Sequence, residues 1–201
     1  DLLEVRSLVV RYGSGAETVT AVDGVDLTLA SASTLGLVGE SGCGKSTIAR
    51  ALVGLVPVAG GSIAFEGSDC SSESSRNAAS YRRRVQMVFQ DPHSSLNPRM
   101  SVNDVLNEAV RLRGEEYRDR ARRSAEVRRL LDLVGLPPDA LDRYPHQFSG
   151  GQLQRIAIAR ALALSPEVVI ADEVTSALDV SVQATILNLL KDLQRQLGVS
   201  Y

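Results

Sequence analysis

The chain has 201 residues, 44% of them hydrophobic, and a formal net charge of −2 at neutral pH. That supports one compact domain with room for an inserted lobe, and it excludes a general nucleic-acid binder, which needs a basic surface. No apolar run approaches the roughly 20 residues that span a bilayer, and no secretory leader is visible at the N-terminus as given.

In residues 1–33 apolar side chains alternate with polar ones: Leu3, Val5, Leu8 and Val10, then Val19, Ala21, Val25, Leu27 and Leu29. This predicts two or three antiparallel strands, with a turn at Gly13-Ser-Gly15. Residues 34–38, Thr-Leu-Gly-Leu-Val, read as a short buried strand, and residues 46–55 as a helix. Between them lies Gly39-Glu-Ser-Gly-Cys-Gly-Lys-Ser-Thr47, which fits the phosphate-loop pattern G-x-x-x-x-G-K-[ST]. Such a loop wraps polyphosphate with backbone N–H groups at the positive end of a helix. Here the donors would be the amides of residues 42–47, with Lys45 on the β- and γ-phosphates and the Ser46 hydroxyl on Mg²⁺. The alternative is a glycine-rich turn with an incidental lysine, which the strand–loop–helix context disfavours.

Cys43 and Cys70 are the two cysteines. A bridge from Cys43 would distort the loop, so a reduced, cytosolic setting is expected. Cys43 reads as a packing residue rather than a redox switch, and Cys70 as incidental in a polar loop. Residues 60–67 predict another strand, residues 68–80 a flexible, serine-rich loop, and residues 85–89 a strand ending at Gln90. Residues 91–100 are polar, and residues 101–135 are mostly helical in pattern. Within residues 111–129 stand eight arginines and four acids. They read as a solvated amphipathic helix, with contact to a partner or to lipid headgroups as the lesser alternative. Leu136-Pro-Pro138 breaks this helix, so residues 91–147 form a helical insert.

The core resumes at Ser149-Gly-Gly-Gln152, a loop opening a helix through about residue 164. Residues 167–171 are a buried strand closed by Asp172 and Glu173. In phosphate-loop proteins the first such acid holds Mg²⁺, and the second can act as general base on the attacking water. Taken alone, the pair would equally be two exposed acids in a turn. A last helix over 180–197 carries Val182, Ile186, Leu189, Leu190 and Leu193 on one face. His93 and His146 read as polar or capping residues, not metal ligands.

Five elements in order — the loop at 39–47, Gln90 after a strand, Ser149-Gly-Gly-Gln152, the strand and acids at 168–173, and Ser176-Ala-Leu-Asp179 — resemble the ATP-binding cassette family over essentially the whole chain. The resemblance implies an α/β fold: a P-loop NTPase (RecA-like) core with an N-terminal antiparallel β subdomain and an inserted α-helical subdomain. The divisions are 1–90 (β subdomain and first part of the core), 91–147 (helical subdomain) and 148–201 (second part of the core). It implies ATP and Mg²⁺ as ligands. Gly39, Ser41, Gly42, Cys43, Gly44, Lys45, Ser46 and Thr47 would cradle the nucleotide, and Tyr12 would stack on adenine. Glu173 would be the catalytic carboxylate, assisted by Lys45 and Gln90, and the metal would lie among Ser46, Gln90 and Asp172. Ser149, Gly150, Gly151, Gln152 and Asp179 would face the nucleotide of a second subunit. An ordinary strand tyrosine remains the alternative for Tyr12.

A narrower likeness, to the ATPase subunits of oligopeptide and dipeptide importers, is carried by three runs: Val88-Phe-Gln-Asp-Pro-His-Ser-Ser-Leu-Asn-Pro-Arg-Met100, Tyr144-Pro-His-Gln-Phe-Ser-Gly-Gly-Gln152 and Thr175-Ser-Ala-Leu-Asp-Val-Ser181. It implies peripheral attachment at the cytoplasmic face of the inner membrane. The partners would be a second nucleotide-binding subunit, transmembrane permeases and, indirectly, a solute-binding protein, with no nucleic acid. The family usually places proline where Val174 stands, and continues past position 201 to a strand and a switch histidine. The sequence therefore reads as truncated, and binding with weak turnover is the expectation. A soluble non-transport cassette ATPase, a small-molecule kinase and a nucleotide-gated scaffold are the rival readings. The kinase would leave Ser149–Gln152 unexplained.

Overall fold

The computed structural model describes residues 1–13, 15–176 and 178–201. Ser14 of the first turn and Ala177 of the Ser176–Asp179 run lie outside the described residues.

Two long strands, β1 (Leu3–Tyr12) and β2 (Val19–Leu29), pair antiparallel from Leu3↔Leu29 to Tyr12↔Val19. The inward residues of β1 run Leu3, Val5, then Leu8, Val10. Strict alternation would break between Val5 and Leu8, and there the ladder shifts register. Ser7 takes up the extra residue in the left-handed region at φ 48°, and its N–H donates to Asp26 Oδ1 at 2.6 Å. This is a bulge that keeps both halves of the strand facing the core. β3 (Gly60–Phe65) adds to the other edge of β1, and β4 (Ser68–Asp69) to β3, giving the order β2-β1-β3-β4.

The inner face of this sheet packs on α1 (Lys45–Leu52). Residues 68–80 are not the loop expected from their polarity. After β4 they form α2 (Glu73–Asn77), capped by Ser72, and enter α3 (Ala79–Arg84). The cause is Arg76, 1% exposed, whose guanidinium donates to the carbonyls of Cys70 and Ser71 and so ties the segment down. Cys70 is likewise not incidental. It is buried in the sheet core, and desolvation raises its thiol pKa.

β5 (Val85–Val88) and β6 (Val168–Ala171) pair in parallel, Val85↔Val168 through Val88↔Ala171. Arg84, stacked on Phe65, donates to Glu66 and Glu167 and clamps this pair to the first sheet. Between the two strands come α4 (Pro92–Ser95), α5 (Val102–Arg111), α6 (Arg120–Leu133) and α7 (Gly150–Leu162); α8 (Val180–Leu197) follows β6. The helical pattern over 101–135 is therefore two helices, separated by a 3₁₀ turn at Glu115–Arg118.

β6 divides two cores. Successive strand residues point to opposite faces; Val168 joins the core under α1 and the sheet, while Val169 joins Leu106, Leu130, Leu153, Ile156, Ile186 and Leu193 among the helices.

One expected element does not form. Residues 34–38 run irregularly, with Leu37 43% and Val38 99% exposed. Their side chains are apolar enough for a buried strand. Backbone pairing is what is missing: Tyr201 N–H donates to Ser33 O at 2.9 Å and Leu35 N–H to Tyr201 O at 2.8 Å, but among the described residues no backbone hydrogen bond pairs residues 36–38.

Candidate functional site at the strand ends

The loop at 39–47 leads into α1 through Gly44, whose φ of +97° lies in the left-handed region. An added Cβ there would stand 2.6 Å from the Ala21 carbonyl of β2, so only glycine lets the loop lie this close to the sheet. Lys45 Nζ donates to the carbonyls of Gly39 and Glu40 at 2.9 and 2.7 Å. The amides of Gly42, Gly44, Lys45, Ser46 and Thr47 have no hydrogen-bond partner among the described residues. A row of free N–H groups at a helix N-terminus beside a lysine is a cradle for a polyanion. Cys43 is exposed rather than packed in a core, although its Sγ stands where a Cβ at position 39 would go, 2.6 Å away. Glycine at 39 is what leaves it room.

Strand register brings the remaining groups together. Val88 and Ala171 are paired, so Gln90 and Glu173, each two residues further on, come out side by side at the carboxyl ends of β5 and β6. Gln90 Nε2 donates to Glu173 Oε2 at 3.0 Å. Asp172, 8% exposed, is held by its own N–H to the Val88 carbonyl at 3.1 Å, and accepts from Ser46 Oγ at 2.8 Å. The carboxyl end of a parallel sheet, next to a helix N-terminus, is where ligands bind in open α/β folds. The chemistry of the donor set fits a hydrated hard cation bound to polyphosphate: a hydroxyl, a carboxylate and an amide oxygen side by side. Glu173 sits at φ +48°, an uncommon conformation for a residue with a Cβ. Val174 follows it, buried among the helical core.

Ser149 caps α7. Its hydroxyl accepts from the Gln152 N–H at 3.4 Å, and Gln152 Oε1 accepts from the Ser149 N–H at 3.0 Å, a reciprocal capping box. Gly151 faces α8, where an added Cβ would lie 2.6 Å from Val182 Cγ1. Ser149, Gly150, Gly151 and Gln152 therefore sit at the helix start, but no hydrogen bond joins them to the loop at 39–47 among the described residues. Tyr12, 40% exposed, ends β1 a short way along the ladder from Ala21, on which Gly44 rests. Asp179 precedes α8 with no side-chain cap of its own. His93 lies in α4, and His146 stacks on Tyr144 at 6.0 Å between ring centres.

Ser176 stands in the fifth motif without an assigned role, and the structure gives it contacts: its Oγ bonds both Gln90 and Glu173. Nothing in a single sequence marks this contact beyond the motif itself and its place three residues after the glutamate. The sequence reading missed Arg84, visible only as one of three consecutive arginines.

Comparison with known proteins adds independent evidence. The family profile described as "ABC transporter" matches residues 22–176. The chain is 47% identical over 208 residues to the oligopeptide transport ATP-binding protein OppF of Lactococcus lactis subsp. lactis (strain IL1403), covering all of this chain and 65% of that protein. It is 48% identical over 201 residues to the putative oligopeptide transport ATP-binding protein YkfD of Bacillus subtilis (strain 168), covering 61% of it. The chain thus spans less than two thirds of the length of these relatives. Among solved structures, the dimeric post-hydrolysis state of the ATP-binding cassette MJ0796 bound to ADP and Pi superposes with a TM-score of 0.86 at 26% identity, over 98% of this chain and 85% of that one. CbiO1 from Clostridium perfringens, part of the ABC transporter complex cbiONQ, superposes at 0.82 and 28% identity, over 99% of this chain and 76% of its own.

Proposed function

Because this chain belongs to the ABC transporter family, we propose that it is the nucleotide-binding part of an importer ATPase that takes up peptides or similar solutes. The observation that carries the reading is the meeting of Ser46 with Asp172, and of Gln90 with Glu173, at one pair of strand ends beside the free amides of the loop. ATP is the substrate. Lys45 and the amides of 42–47 hold its phosphates, and Tyr12 offers an exposed ring to the base. Ser46, Asp172 and Gln90 hold Mg²⁺, which when bound neutralises phosphate charge as a Lewis acid. Glu173 accepts the proton of the attacking water, and Gln90 orients that carboxylate.

Ser149, Gly150, Gly151, Gln152 and Asp179 make no hydrogen bond to the cradle among the described residues. We assign them to the nucleotide of a second cassette, whose own cradle would be met by this helix start. The relatives' printed names favour oligopeptides as cargo. The permease contact is assigned to a groove of about 460 Å³ lined by Leu55, Met87, Phe89, Leu112 and Arg160, between β5 and the helical insert. Leu55 and Leu112 are exposed there without covering. Such docking makes the ATPase peripheral on the cytoplasmic face of the membrane.

The test is Glu173→Gln in the assembled transporter. Hydrolysis should fall about 10²–10⁴-fold, the usual contribution of a general base, while ATP now holds two cassettes together as a stable dimer on gel filtration. Unchanged turnover would remove Glu173 from its role. Loss of ATP binding would show that it had been needed for the fold of the site instead.

A further inference from the structure

Ser176 belongs to the turn after β6. Its N–H and its Oγ both donate to the Glu173 carbonyl oxygen, each at 3.0 Å. The same Oγ accepts from Gln90 Nε2 at 3.2 Å, and that nitrogen also donates to Glu173 Oε2 at 3.0 Å. A primary amide nitrogen carries two protons and its oxygen none. The serine proton is committed to the carbonyl, and an ionised carboxylate has none to give. The pair can therefore only accept from Gln90. Only the NH₂ edge of the amide can face it, and Gln90 Oε1 is turned the other way.

We propose that Ser176 is a positioning residue that fixes the orientation of the Gln90 amide, so that Oε1 is the edge offered to the Mg²⁺ of a bound nucleotide. The inference rests on the MgATP reading above. Glu173 alone would hold one amide proton, and the amide could turn about that single bond. Ser176 takes the second proton and removes that freedom. A cation needs the oxygen edge, since an NH₂ group facing it is repelled. Groups that orient a metal ligand typically change metal affinity about 10- to 100-fold. Ser176 and Gln90 are both exposed, so a smaller effect is expected here.

The experiment compares ATP affinity with Mg²⁺ and with EDTA in the purified protein, for the wild type, Ser176→Ala, Ser176→Thr, Gln90→Ala and the Ser176→Ala/Gln90→Ala pair. The wild type should bind more tightly with Mg²⁺. Ser176→Ala should shrink that gain about three- to tenfold and leave the EDTA affinity unchanged. Ser176→Thr keeps the hydroxyl and should restore it. In the pair, Ser176→Ala should add nothing to Gln90→Ala, because one acts through the other. A full Mg²⁺ gain in Ser176→Ala, or an additive loss in the pair, overturns the assignment of Ser176 alone. A wild type with no Mg²⁺ gain overturns the MgATP reading and this inference with it.

Discussion

The two thiols stand in opposite surroundings, and their chemistry should divide accordingly. Cys43 is exposed in the phosphate loop, with its Sγ 3.7 Å from the Lys45 ammonium. Cys70 lies in the sheet core, where loss of hydration penalises the thiolate and raises its pKa. The thiolate is the reactive form. A maleimide should therefore label Cys43 alone in the native protein, and Cys70 only after unfolding. ATP should slow the labelling of Cys43, because the loop amides around it would then be covered. Equal labelling with and without ATP, read by mass spectrometry of the two peptides, would count against nucleotide in this loop. At this scale the sequence was most legible where chemistry is contiguous: nine consecutive residues announce the cradle. It was least legible where two residues meet across space. Gln90 and Glu173 are 83 positions apart and touch only because of the Val88↔Ala171 register, which a sequence does not print.

Helices carry two further tests. The start of α7 lies so close to α8 that a Cβ at Gly151 would stand 2.6 Å from Val182 Cγ1. Gly151→Ala should cost about 1–3 kcal/mol as an overpacking change and push the α7 start outward. Urea unfolding would read the cost, and a loss of ATP-driven pairing the displacement. In the insert, Glu126 on α6 is bonded by Arg129 and by Arg113, both at 2.7 Å, and the Arg129 bond holds its carboxyl below the usual carboxylate range. A carboxyl with a depressed folded pKa stabilises above the unfolded value, and that stability disappears as pH falls through the folded one. Glu126→Gln should thus cost about 1 kcal/mol at neutral pH, with the gap to wild type closing in acid. A gap independent of pH would mean that packing, not charge, is lost. The insert was legible as helical from its composition but not as two helices, because Gly114, the residue before the 3₁₀ turn at Glu115–Arg118, is a single weak break inside a long arginine-rich pattern. The reverse error fell on residues 68–80. Polarity argued for a loop, while one buried arginine, Arg76, orders the segment through backbone carbonyls.

Across the molecule, the two cores meet along β6, and beside it lies a slot that links fold to function. Ser200 and Tyr201 already bond on both sides, as an interior strand of a parallel sheet does: Val169 N–H to Ser200 O at 2.9 Å, Ser200 N–H to Glu167 O at 2.8 Å, and Leu35 N–H to Tyr201 O at 2.8 Å. A cavity of about 610 Å³ between residues 35–37 and β6 is lined by Leu35, Leu37, Ile170, Ala171 and Leu190 and reaches Lys45 and Glu173, so the packing beneath the loop and the groups at the strand ends share one wall. Leu37 and Val38 lead directly into Gly39, and Leu35 is tied to Tyr201 while Gly44 lies against the Ala21 carbonyl of β2; the phosphate loop is therefore braced from both of its ends, by the segment beside β6 and by the sheet under α1.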